Sequence, residues 1–309
     1  MKIGVVIVTY NRLNKLVETL KQFAMQTWAP AYILIVNNAS TDGTFEYLSK
    51  WQRDEGRCKK IVINLTENTG GSGGFYEGLK VSLDLEAEWV WVSDDDAIPE
   101  CDALERAYQY LNRSDVDQNE LSAICGQVIN YGVIDINHRK NYITNGIHIR
   151  EYPISRDEYQ KDHFELNAFS YVGTIINRDK MKLIGITKKE YFIWWDDTEH
   201  SLRLSKVGKI ICIPEIRIHH DTVEEKNVLS WKSYYGYRNM TDMYRMHMPW
   251  YCFWYFAMKV IIKTNFFFLI KVNRDEIKIL REGFWDALKN RFGVHSVYKP
   301  GWKADSQRK

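Results

Sequence analysis

Short apolar runs alternate with helix-spaced patterns through the first hundred residues. Residues 3–8 form a nearly continuous apolar run, and Leu13, Leu16, Val17 and Leu20 follow at the spacing of an amphipathic helix. Residues 32–36 predict a second strand, which opens into Asn37-Asn38-Ala39-Ser40-Thr41-Asp42-Gly43, where Ser40 or Asp42 is a natural helix cap. A third strand is expected at 60–65, followed by a glycine-rich turn at 68–74 and an amphipathic run over 75–85. A fourth, at 89–92, runs into Asp94-Asp95-Asp96. Apolar strands separated by helices predict a parallel sheet covered on both faces. Ligands of such sheets bind beyond the carboxyl ends of the strands, where these polar clusters fall.

The pattern loosens from about 120 to 190, with strand-like pieces at 124–129 and 171–177 joined by charged and aromatic connectors suited to an acceptor-side insert. Residues 191–195 lead into a helix through Leu204, and 209–213 and 216–220 read as two short strands. After Asp221 the sequence turns aromatic and basic, so the chain divides into 1–222 and 223–309. No internal repeat is visible.

Composition narrows the class. The 309 residues are 45% hydrophobic and 27% charged, which suits a packed core and excludes a disordered chain. Five scattered cysteines, without a CxxC pair, argue against a disulfide framework or structural zinc and suit a reducing compartment. The opening residues read as a first strand rather than an export signal. The net charge of +2 hides an asymmetry: 26 Lys and Arg against 32 Asp and Glu in 1–222 (−6), and 16 against 8 in 223–309 (+8). An anionic partner is therefore expected for the tail alone. Nucleic-acid binding is set aside, because the basic residues are confined to the tail and no reader motif occurs.

Four clusters carry the chemistry. Three adjacent acids at a strand tip repel one another, and Asp94 and Asp96, two apart on an extended backbone, point the same way. They read either as ligands of a hard divalent cation or as a solvated acidic turn ending at Pro99. The glycines of 68–74 permit close approach of a ligand or simply make a flexible turn, and they match neither a Walker A loop nor GxGxxG. Trp194-Trp195-Asp196-Asp197-Thr198-Glu199 sets an apolar wall beside carboxylates and opens a helix on which Glu199 and Arg203 pair. Acids at a helix start are favoured by the dipole, which leaves the double Trp unexplained. His219-His220-Asp221 follows a strand, where a histidine is more often structural than a ligand.

In this order the clusters resemble the family 2 glycosyltransferases of GT-A fold, over roughly residues 1–240. Val8-Thr9-Tyr10-Asn11-Arg12 and Asn38-Ala39-Ser40-Thr41-Asp42-Gly43-Thr44 are similar to the family's nucleotide-binding start. The 68–74 loop, Asp-Asp-Asp-Ala of 94–97, Trp-Asp-Asp-Thr-Glu of 195–199 and Tyr234-Tyr235-Gly236-Tyr237-Arg238-Asn239 look most like bacterial galactofuranosyltransferases. The resemblance implies a Rossmann-like mixed sheet flanked by helices, followed by a C-terminal helical, aromatic and basic region. It further implies Mn²⁺ or Mg²⁺ on Asp94, Asp96 and His220, with His219 the neighbouring alternative. Asp197 would be the general base and Asp196 its orienting partner. Trp194, Trp195 and Glu199 would bind substrate, and Thr9, Asn11, Arg12, Asn38, Gly70, Gly71 and Asp95 the nucleotide. Many relatives carry an acid where Asn37 or Asn38 stands; asparagine can still bond a pyrimidine edge.

The implied reaction is inverting transfer of galactofuranose from UDP-galactofuranose to a hydroxyl of a bacterial cell-surface glycan or lipid-linked precursor. A rhamnosyl- or other pyranosyltransferase using a dTDP- or UDP-sugar is the alternative. A sugar-nucleotide pyrophosphorylase should open on a glycine-rich, arginine-bearing loop that this chain lacks. A non-catalytic carbohydrate-binding protein would explain the aromatics but not the acids. Residues 249–270 are very aromatic, with Lys259 and Lys263 on one helical face, and too often interrupted to span a bilayer. They read either as a peripheral contact with anionic lipid on the inner face of the cell membrane, in a cytoplasmic protein, or as a helix packed on protein.

Overall fold

The computed structural model describes residues 1–222, 229–266 and 273–304. The chain runs through β1 (Ile3–Thr9), α1 (Leu13–Ala24), β2 (Tyr32–Asn37), α2 (Thr44–Trp51), β3 (Lys59–Asn64), α3 (Gly70–Ser82), β4 (Trp89–Asp94), β5 (Ile98–Pro99) and α4 (Ala103–Leu111). It continues through β6 (Leu121–Asn130), β7 (Val133–Ile134), β8 (Arg139–Asn145), β9 (His148–Pro153), β10 (Phe164–Leu166), β11 (Ala168–Phe169), β12 (Thr174–Asn177), α5 (Arg178–Ile184), α6 (Asp196–Leu204) and β13 (Lys209–His219). Three helices close it: α7 (Trp231–His247), α8 (Trp250–Asn265) and α9 (Arg274–Leu288).

The main sheet has the order β10-β13-β6-β12-β4-β1-β2-β3. β4, β1, β2 and β3 are parallel, as their apolar runs predict. The sheet as a whole is mixed, because β12 enters between β4 and β6 antiparallel to both. A period-2 alternation divides the core between its two faces. Ile3, Val5, Ile7, Trp89 and Trp91 pack toward α1 and α4, whereas Val6, Val8, Val90 and Val92 pack toward α3. β3 closes one edge with Lys59 and Lys60, charges that discourage pairing with a second chain. A separate antiparallel sheet, β11-β8-β9, is built from the 120–190 segment.

Two elements differ from the sequence reading. The glycine-rich stretch is the first turns of α3 rather than a turn before it. A Cβ on Gly74 would lie 2.5 Å from Val8 Cγ1, and one on Gly78 2.5 Å from Val6 Cγ1, so the glycines bring α3 down onto β1. The two short strands expected at 209–220 are one strand, β13, whose pairing with β6 slips between Ile213 and Arg217. The N-cap of α2 is Gly43 rather than Ser40 or Asp42; Asp42, one residue before it, accepts from Thr44 at the start of α2 and from the Leu13 amide at the start of α1.

The C-terminal helices dock on the sheet domain through buried polar contacts. Glu199 of α6, fully buried, accepts from Arg203 at 2.9 Å and lies 3.0 Å from His247 of α7. Asp242 of α7 accepts from Tyr191 and Lys188. Gly283 lets α9 press on α7, since a Cβ there would lie 3.0 Å from the Arg238 amide. No helix among the described residues is long and apolar enough to cross a membrane.

Two consequences are measurable. Gly78→Val would force a branched side chain against Val6 and Val36, and we expect a loss of about 1–3 kcal/mol by urea denaturation. Burial opposes ionisation of Glu199, but His247 and Arg203 prevail and hold its pKa down to about 2. A depressed carboxyl stabilises the fold above its unfolded pKa and loses that contribution as pH falls. The stability gap between the wild type and Glu199→Gln should therefore shrink by about half between pH 5 and pH 3, and a constant gap would contradict the assignment.

Candidate active site

The carboxyl ends of β1 and β4, the start of α3, the end of β13 and the turn before α6 converge on one cleft of about 630 Å³. Thr9, Arg12, Asn38, Gly70, Gly71, Asp94, Asp95, Asp96, Trp194, Asp196, Asp197 and His220 all line it.

β4 presents its acids in two directions. Asp95, only 3% exposed, turns toward β1: its Oδ2 accepts from the Thr9 hydroxyl at 2.7 Å and its carbonyl from the Thr19 hydroxyl at 2.8 Å. Arg12 reaches Asp96 Oδ2 at 2.8 Å and Asp95 Oδ1 at 3.5 Å. Asp94 and Asp96 turn toward the end of β13, and with His220 they offer ligand atoms within 4.8 Å of one another. His220 Nε2 stands 3.3 Å from Asp96 Oδ1. Asp96 Oδ1 and His220 Nδ1 are nevertheless buried without a hydrogen-bond partner.

Charge follows from this packing. Burial, reinforced by Asp96, pushes the Asp94 carboxyl up to about 7, and burial pushes Asp95 up to about 6 against the pull of Thr9 and Arg12. Burial would raise Asp96 too, but His220 and Arg12 keep it below the ordinary range. Two carboxylates and an imidazole, with unpartnered donor atoms and like-charge repulsion to relieve, fit a hard divalent cation.

Across the cleft, Asp196 and Asp197 open α6. Burial, then the charge of Asp197, raises Asp196 well above the usual carboxyl value. Burial also raises Asp197, but its Oδ1 accepts from the Thr198 amide at 2.6 Å and from the Thr198 hydroxyl, so it is the member equipped to carry charge. The turn before them is unusual. Phe192, Trp194 and Trp195 all have φ between 65° and 70°. Phe192 sits inside a γ-turn closed by the Ile193 amide on the Tyr191 carbonyl, the strained hand of that turn. Such residues cost on the order of 1–3 kcal/mol each and persist only where their surroundings impose them.

Several residues expected in the site lie elsewhere or are already engaged. Glu199 points away from the cleft into the α6–α7 contact, held by Arg203 and His247. Trp195 does not line the cleft but packs with Tyr142, Leu202 and Met243. Asn11 lies in an adjoining groove, its Oδ1 accepting from the Thr41 amide. Asn38 borders the cleft, yet its amide donates to Asn68 and Gly70 while its oxygen accepts from Thr69. His219 turns away to Glu100, and His220 joins the acids. Residues not anticipated include His138, whose ring lies 5.4 Å from that of His220, and Trp231, Lys232 and Pro300 from the C-terminal region. No local motif marked them; the fold alone brings them to the cleft.

Comparison with known proteins accords with this geometry. The dTDP-rhamnosyl transferase RfbF of Shigella flexneri is 26% identical over 72% of this chain and 70% of its own. The galactofuranosyltransferase GlfT1 of Mycobacterium tuberculosis is 32% identical, but over only 29% of each chain. Among solved structures, S. aureus TarS 1–349 in complex with UDP-GlcNAc has a TM-score of 0.59 at 18% identity, covering 94% of this chain and 81% of that one. GalNAc-T7 with UDP, GalNAc and Mn²⁺ has a TM-score of 0.62 at 15% identity, covering 94% of this chain and 56% of that one. Both are likenesses of fold. The family model Glycosyl transferase family 2 matches residues 4–185, more than half of the chain, which makes this protein a glycosyltransferase of that family with a GT-A fold.

Proposed function

We propose that the protein transfers a glycosyl group from a nucleoside diphosphate sugar to a hydroxyl of a cell-surface glycan or lipid-linked precursor, with inversion at the anomeric carbon. The observation that carries this reading is the facing of two acid groups across one cleft: Asp94 and Asp96 with His220 on one side, Asp196 and Asp197 on the other. Mn²⁺ or Mg²⁺ held by Asp94, Asp96 and His220 would supply positive charge where the departing diphosphate gains negative charge. Arg12 adds a fixed cation at the same end, itself oriented by Asp95 and Asp96. Asp197 accepts the proton of the acceptor hydroxyl as that oxygen attacks the face opposite the leaving group. Asp196, buried and biased toward its protonated form, orients its neighbour, and Trp194 walls the sugar. A single displacement needs no enzyme nucleophile.

The donor on this reading is UDP-galactofuranose, supported by the resemblance of residues 68–74, 94–97 and 195–199 and by the partial likeness to GlfT1. dTDP-rhamnose is the second reading, favoured by the longer alignment with RfbF. The reading includes docking on an anionic membrane surface from the cytoplasmic side. α8 supports it: Trp250 (74% exposed), Trp254, Met258 and Ile262 form an outward apolar stripe, with exposed Lys259 on its flank. Residues 267–270 of the aromatic stretch lie outside the described residues.

Nucleotide release should be measured from UDP-galactofuranose, UDP-galactopyranose and dTDP-rhamnose, with Mn²⁺ and with chelator. Metal-dependent release from the furanose donor is expected; release from dTDP-rhamnose alone would replace the donor and keep the mechanism. Asp197→Asn should lower turnover by about 10²–10⁴-fold with nucleotide binding intact, and loss of binding instead would sink the base assignment. Vesicles containing anionic lipid should float the wild type and release it when Trp250 and Trp254 become Ser. Failure of the wild type to float would remove the membrane from this reading.

A further inference from the structure

The backbone from Phe192 to Trp195, just before α6, forms a turn that does not hold itself. Three of its residues have positive φ without being glycine, and the clamp that imposes this conformation comes from α7. Asn239, fully buried, directs its side-chain amide at three carbonyls of that backbone: those of Tyr191 at 3.0 Å, Ile193 at 3.0 Å and Trp194 at 2.9 Å. Its Oδ1 accepts from Arg238 Nε at 2.9 Å, which fixes which end of the amide faces the carbonyls. Arg238 in turn donates to the carbonyls of Glu190, Tyr191 and Gly293. Gly236, one helical turn earlier, leaves room for the Trp194 indole, whose Cε3 would lie 3.1 Å from a Cβ there. On its other side the turn meets the start of α3, where the Phe192 carbonyl accepts from the Ser72 amide.

We infer that Asn239 is a positioning residue for the transfer reaction: by donating to the carbonyls of Tyr191, Ile193 and Trp194 it holds the turn that aims Asp197 at the acceptor. This rests on the reading of Asp197 as the base. It gives α7, which lies outside the family match, a specific task in the chemistry. The physical reason is geometric. Without the donor, the Ile193 and Trp194 carbonyls lose the side-chain hydrogen bond that holds them, the Tyr191 carbonyl keeps only Arg238 and the Ile193 amide, and the turn can relax toward ordinary φ values. Asp197, three residues beyond Trp194, then moves relative to the cleft, and displacements of about 1 Å cost on the order of 10²-fold in rate. Asp94, Asp96 and His220 stand at the ends of β4 and β13, so a relaxed turn leaves the nucleotide side in place.

The test uses Asn239→Asp, which keeps shape and the acceptor for Arg238 but removes the amide donor, together with Asn239→Ala. For each, nucleotide release is measured from whichever donor the full chain turns over, UDP binding with Mn²⁺ is measured by calorimetry, and folding is followed by thermal melting. Both variants should bind UDP within about threefold of the wild type while turnover falls by about 10- to 100-fold. Unchanged turnover in a folded Asn239→Asp variant would overturn the inference. Loss of folding and of UDP binding in both variants would overturn it as well, since the residue would then be general scaffold. Asp197→Asn run alongside separates the two claims. If it stays active, the base reading fails; if it is inactive while the Asn239 variants are active, only the positioning role fails.

Discussion

Carboxylates brought together in a partly dehydrated cleft raise one another's pKa, so a fold that gathers them must hold counter-charge and backbone rigidly around them. Here Asp94, Asp95 and Asp96 come from one strand end and Asp196 and Asp197 from the start of a distant helix. Most of the surrounding architecture answers that constraint. Thr9 and Thr19 anchor Asp95, Arg12 bridges Asp95 and Asp96, and His220 arrives on β13 to share Asp96. β1 is buried along its whole length and β4 up to Asp94, which keeps their ends from shifting independently.

What the sequence disclosed was mostly what local periodicity encodes. The apolar runs of β1, β2 and β4 and the spacing of Leu16 and Leu20 in α1 are physical consequences of lying between two packed layers, and they appear in the structure where they were expected. The acid triplet was legible because repulsion makes it an improbable accident. Its histidine partner was read from the family resemblance as His220, with His219 the alternative, and it is His220 that the structure groups with Asp94 and Asp96. Long-range packing was not legible. The antiparallel entry of β12 leaves no signature in its short apolar sequence, and a glycine run gives the same composition whether it makes a turn or lets a helix press on a strand. Side-chain direction failed similarly for Glu199 and Trp195. On α6 the neighbours of the acidic pair rotate away from the cleft, and nothing in the sequence said which face α7 would cover.

Among the described residues, packing continues across the change of composition near residue 222. Phe192 clusters with Tyr234, Tyr235 and Tyr298, and Trp231 and Pro300 border the cleft. The aromatic richness of the C-terminal helices is thus spent in two places, inward around the turn before α6 and outward along α8.

The irregularity in β13 carries a further consequence. Between Ile213 and Arg217 the strand gains residues that β6 does not match, and regular pairing resumes from Arg217 to His219. Side chains on a strand alternate by parity, so the number of residues counted from Arg217 decides which of two adjacent histidines meets the acids. A length change inside the bulge can be absorbed where pairing is already broken. One residue added beyond Arg217 would bring His219 to the seat beside Asp96, and one lost would bring Asp221 there and send His220 to the half-exposed contact with Glu100. Chain length is therefore free on one side of Arg217 and quantised on the other.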